Sequence, residues 1–121
     1  MTSSVTFNVA HDFTPYINGR YIQDGPGSGE ALRDQIAILL NAHDHVLVDL
    51  TGVRGCPSSC LEEAFGGLAR HAKGYGLDPA NLPARIAVRS ATISTDAAEA
   101  QGYLADALRN SDIKGDNAGD A

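Results

Sequence analysis

The stretch Val46 to Arg70, VLVDLTGVRGCPSSCLEEAFGGLAR, decides how this chain reads, because it runs a buried strand into a serine pair and then directly into a helix. Val46, Leu47, Val48 and Leu50 form the short apolar run expected of a strand in a sheet covered on both faces. Ser59 and Glu62 have the spacing of a capping box, which predicts Ser59 at the N-cap of the following helix with Ser58 beside it. The first turn of a helix presents unpaired N–H groups and the positive end of the dipole. A phosphate carried on Ser58 would be stabilised there.

Downstream, Leu61, Phe65, Leu68 and Ala69 recur at the spacing of one helical face, with Glu62, Glu63, Arg70 and Lys73 mostly off that stripe. Gly66 and Gly67 fall in the middle of this helix and cost about 1 kcal/mol each relative to alanine. Two compensations are open: close approach of the helix backbone to the sheet or a neighbouring helix, or a protein partner packing on the bare backbone.

Working outward, Ser28 caps a helix over about residues 29–42, whose Leu32, Ile36, Leu39 and Leu40 share a face. Val5, Phe7 and Val9 alternate with polar residues as in an edge strand, and a second short strand is expected around Arg20 to Gln23. Beyond the serine helix lies a strand around Arg85 to Arg89. Asp96 and Glu99 then box a third helix, with Ala97, Leu104 and Leu108 facing inward. The order of elements predicts one α/β domain over residues 1–110, a mixed four- to five-stranded sheet covered by about three helices. Residues 111–121 have almost no apolar content and read as a disordered acidic tail.

Composition narrows the function classes. With 15 acidic against 9 basic residues, a net charge of −6 opposes binding to a phosphate backbone, so no nucleic-acid partner is expected. No apolar run approaches the ~20 residues of a membrane span. The first ten residues lack a basic segment followed by an apolar one, and the two cysteines read as free thiols in a reducing cytoplasm.

The candidate chemistry is sparse. Cys56 and Cys60 fit neither a redox pair nor half a zinc site, although a thiol at a helix start, Cys60, is the better candidate for reactivity. His43 and His45 lack a convincing third metal ligand. The Gly25-Pro26-Gly27-Ser28-Gly29 loop lacks the ending of a phosphate loop and reads as a turn feeding a helix cap. Glu62 and Glu63 point in different directions on a helix, and no nucleophile, base and orienter group together. No enzyme, cofactor or metal site is expected.

Asp24-Gly25-Pro26 with Ser28-Gly29-Glu30, Val48-Asp49-Leu50 with Gly52-Val53, and Ser58-Ser59 with Leu61 to Leu68 occur in an order that resembles the STAS-like family of unknown function. The serine region is also similar to the STAS domain of anti-sigma-factor antagonists, from which it departs by Pro57 in place of an aspartate and Cys60 in place of a glycine. The resemblance implies a bacterial, non-catalytic regulatory domain that docks a protein partner, such as a histidine-kinase-type ATPase, with Ser58 as the switch serine and phosphoacceptor. Partner contacts are expected at Ser58, Ser59, Glu62, Glu63, Gly66 and Gly67. The alternative is a small-molecule or nucleotide-binding sensor that uses the Gly25 to Gly29 loop and the helix mouth.

Overall fold

The computed structural model describes residues 3–92 and 94–118, with side chains described for 3–92 and 95–109. Strand β1 (Ser4–Asn8) leads through a short helix α1 (Val9–Asp12) and an irregular strap to α2 (Gly29–Ala42) and then β2 (His45–Asp49). One helical run follows over residues 58–70, made of α3 (Ser58–Leu61), a π turn (Glu62–Gly66) and α4 (Gly67–Arg70). A short α5 (Leu82–Arg85) enters β3 (Ile86–Arg89), and α6 (Ser94–Ala118) completes the described chain.

β2 lies between β1 and β3 and pairs with both in parallel. Register puts Val5, Val46 and Ile86 in one row and Phe7, Val48 and Val88 in the next, and these rows face the helices. Parallel neighbours require crossovers, supplied first by α2 and then by the 58–70 run. That run is wedged between α2 and α6. Between residues 60 and 69 only Glu62 escapes full burial, so this segment is the centre of the helical layer.

The cap of α2 is as its spacing predicts, since Ser28 Oγ accepts the Ala31 N–H at 3.1 Å. Its other end is closed by Arg85, which donates to the carbonyls of His43 at 3.0 Å and Asp44 at 2.9 Å. A cation there also meets the negative end of the helix dipole.

Four expectations are corrected. Among the described residues the sheet has three strands, all parallel, rather than a mixed four or five. The segment around Arg20 to Gln23 is no strand: Gly19 turns the chain at φ +87, and a tight 3₁₀ turn over Ile22–Asp24 follows, with the Asp24 carboxylate accepting the Tyr21 N–H. Among the described residues the sheet is also covered on one face only. Thr6, Leu47 and Ala87 form an outward row in which Thr6 and Ala87 are exposed and Leu47 is half-buried, so the apolar run of β2 does not mark two buried faces. Finally, α6 starts at Ser94, which places Asp96 inside the first turn instead of at the cap.

The inner face of α6 is formed by Ala97, Ala100, Leu104 and Ala107. Its backbone continues to Ala118, into the stretch read as a disordered tail; no proline interrupts it, and extending a helix costs less than nucleating one. Residues 119–121 lie outside the described residues. No helix among the described residues is long and apolar enough to cross a membrane.

Candidate functional site

β2 ends where the Asp49 carboxylate accepts the Thr51 N–H at 2.9 Å and pairs with Arg89, contacts that hold its pKa below the usual carboxylate value. Gly52 then turns the chain at φ +88, a conformation that favours glycine. The loop that follows is laced to the strap between α1 and α2. Arg54 N–H donates to Pro15 O at 2.7 Å, Ile17 N–H to Gly55 O at 2.8 Å, and Tyr16 bridges Gly55.

Pro57, extended at φ −57 and ψ 147, is the N-cap of the helical run, and its carbonyl accepts the N–H groups of Cys60 and Leu61. The expected capping box is therefore absent. The helix starts two residues earlier than Ser59 would place its cap, and the Glu62 carboxylate is taken by arginines. Ser58 and Ser59 occupy the first turn, both exposed, and neither hydroxyl caps the helix.

One turn further, the surroundings invert. Glu62 is bound by Arg20 and by Arg70, the latter at 2.5 and 3.0 Å. Glu63 is 5% exposed and held between Arg20 Nε at 3.0 Å and Arg33 at 2.5 Å. Arg33 also donates to the Tyr75 hydroxyl at 2.6 Å, which in turn donates to Asp34. Hydrogen bonding to Arg70 leads the effects that lower the Glu62 pKa, and the Glu62 bond in turn raises that of Arg70. Burial works to lower the Arg20 pKa, but its bonds to Glu63 and the nearby Glu62 charge outweigh it and the net shift is upward.

This network explains the glycine pair. A Cβ on Gly67 would lie 2.9 Å from Glu63 Oε2 and 3.0 Å from an Arg33 nitrogen. One on Gly66 would crowd the Glu62 carboxylate and sit 3.0 Å from an Arg70 nitrogen. Each glycine falls four residues after the glutamate it accommodates, so the carboxylates fold back over the helix and reach the arginines. The compensation is thus a set of ion pairs rather than close backbone contact. Close backbone contact does occur, at Gly29, where a Cβ would come within 2.9 Å of Cys60 Cα.

The residues expected to meet a partner are therefore divided. Ser58 and Ser59 stand in solvent, Glu62 is partly exposed, and Glu63, Gly66 and Gly67 are buried in the fold. Reading the sequence missed Arg20, Arg33 and Tyr75 as the other half of the network. The four-residue offset from Glu62-Glu63 to Gly66-Gly67 was the signal available.

Both thiols are held protonated. Burial, with the charges of Asp96 and Glu99 and the other thiol nearby, pushes the Cys56 pKa up to about 12; burial raises that of Cys60 as well, and its Sγ contacts Gly19 O at 3.0 Å. In the loop before α2, the N–H groups of Gly25, Gly29 and Glu30 donate to the carbonyls of Ile22, Gly19 and Arg20. Among the described residues, no group of three or more His, Cys, Asp or Glu side chains is arranged to hold a metal ion.

A family model described as a STAS-like domain of unknown function (DUF4325) matches residues 28–89, half of the chain. The chain belongs to this STAS-like family. The match runs from the cap of α2 through β3 and includes the serine loop, Arg33 and Glu63; the strap with Arg20 precedes it. No curated protein and no solved structure matches the chain.

Proposed function

We propose that this STAS-like domain is a non-catalytic regulatory module of the bacterial cytoplasm, which docks a protein partner such as a histidine-kinase-type ATPase through the loop from Gly52 to Ser59. The observation that carries the reading is the state of Ser58. In a helical run whose carboxylates are committed to internal ion pairs, this hydroxyl is exposed and caps nothing. A phosphoryl group there would add about −1.5 to −2 charges at the positive end of a helix, altering the surface and leaving the core untouched.

The high thiol pKa values argue against nucleophilic chemistry at Cys56 or Cys60. The Gly25 and Gly29 amides, spent on Ile22 and Gly19, leave this loop fewer donors for a nucleotide phosphate. The test is co-expression with a histidine-kinase-type ATPase from the same genome, followed by intact mass spectrometry and calorimetric binding. Ser58→Ala should bind as wild type does, and Ser58→Asp at least tenfold more weakly. No added phosphate together with equal binding by both variants would refute the switch.

A further inference from the structure

The strap of residues 14–22 is fastened along the serine loop by the Pro15, Tyr16 and Ile17 backbone contacts, and at its far end by Arg20 on Glu62 and Glu63. It nevertheless exposes large apolar side chains: Tyr16 is 59% exposed, Tyr21 43% and Ile22 49%. Ile38, on α2, is the other large hydrophobic side chain with comparable exposure among the described residues. A strap so well anchored could have turned these side chains inward, as it does Ile17, which is 2% exposed.

Charge supplies the second, independent observation. Each other arginine with a described side chain reaches an acceptor: Arg20, Arg33 and Arg70 reach glutamates, Arg85 carbonyls, Arg89 Asp49 and Arg109 Asp106. Arg54 is exposed and has no ion-pair or hydrogen-bonding partner for its guanidinium among the described residues. Its backbone is bonded to Pro15, next to Tyr16, whose ring lies against Gly55. Tyr16 and Arg54 thus stand on two stretches of backbone bonded to each other, and tyrosine and arginine are the residue types enriched at interface hot spots.

We infer that Tyr16 and Arg54 form the centre of the docking face, and that the occupant is a protein presenting an apolar pocket for Tyr16 and a carboxylate for Arg54. Tyr21, with its ring 5.9 Å from the Arg20 guanidinium carbon, and Ile22 are the further exposed apolar side chains of the same strap. The net charge of −6 disfavours a second copy of the chain as the occupant. The inference rests on the docking reading of the serine loop and adds the partner's chemistry. It also gives the switch a target, since a phosphate on Ser58 would add negative charge to the loop that carries Arg54 and repel the same carboxylate.

The probe is the histidine-kinase-type ATPase used to test the docking reading, titrated against the whole chain at two salt concentrations. Tyr16→Ser and Arg54→Glu should each weaken binding at least tenfold. Arg54→Ala should bind more weakly and lose most of the salt dependence, and Ile38→Ser should bind as wild type does. Denaturation midpoints check that each variant is folded; Arg54→Lys, which keeps the charge, should bind better than Arg54→Glu. Wild-type binding that neither Tyr16→Ser nor Arg54→Glu weakens would overturn this inference alone, leaving the docking loop in place. No binding by the wild type would remove both. Self-association of the chain in sedimentation that Tyr16→Ser abolishes would overturn the choice of occupant.

Discussion

Residues 58–59 and residues 62–67 belong to one helical run, yet the two regions spend their polar groups in opposite ways. At the mouth, two hydroxyls are exposed and Pro57, not a serine, caps the run. One turn on, two carboxylates meet three guanidinium groups, and one of those carboxylates is nearly inaccessible. The first arrangement costs the fold little to change. The second binds the strap, α2 and the helical run together, and removing either side of a buried ion pair strands the other charge. Neighbouring positions can thus carry separate tasks, one facing a partner and one fixing the fold.

The comparison breaks most readily at Glu63. Glu63→Ala should destabilise the domain by about 3 to 5 kcal/mol, because Arg33 would be left buried without its main counter-charge. A loss below ~1 kcal/mol in urea melts would show that the network does not hold the fold. The glycines should come next and should differ from each other. Gly67→Ala pushes on the buried Glu63 and Arg33, and a cost of about 1 to 3 kcal/mol is expected for such overpacking. Gly66→Ala meets the ends of Glu62 and Arg70, which can swing toward solvent, and the better helix propensity of alanine offsets the disturbance to within about 1 kcal/mol. Equal effects at the two positions would mean that the side-chain network is not what the glycines accommodate.

A further contrast is in pH. The Glu62 pKa is lowered in the folded state, so its contribution is present above the unfolded value and is lost as pH falls through the folded one. Glu62→Gln should therefore flatten the acid limb of stability against pH below about 4.5, the ordinary value for this group. An unchanged acid limb would count against the pairing with Arg70 and Arg20. The smallest effect belongs to Ser59. Without a cap bond to lose, Ser59→Ala should change stability by less than about 0.5 kcal/mol, where a true N-cap serine would cost about 1 kcal/mol.

Local signals carried much of this structure and failed where long-range pairing decided the outcome. The Ser28 cap and the Leu32 to Leu40 face were legible because periodicity and capping are set by neighbours in sequence. The cap at Ser59 was misplaced because Pro57 meets the helix start first and Glu62 is claimed by Arg70, about two turns on, and by Arg20, distant in sequence. The bare outer face of the sheet was not legible either, since Val46, Val48 and Leu50 supply the same apolar run whether or not Leu47 is covered. At the site, Ser58 lies outside the buried stripe that begins at Cys60 and Leu61, which agrees with its exposure in the first turn. The burial of Glu63 was not legible, because it depends on Arg20 and Arg33, which contact it only after the strap and α2 have packed.

The most direct test of the account is the unfolding free energy of Ser58→Asp, measured by urea denaturation at neutral pH. If the helix mouth is free of structural duties, a negative charge in the first turn should leave stability unchanged or raise it by about 0.3 to 1 kcal/mol through the helix dipole. A loss of more than about 1 kcal/mol would mean that Ser58 is part of what holds the fold, and would contradict the division between an open mouth and a locked turn.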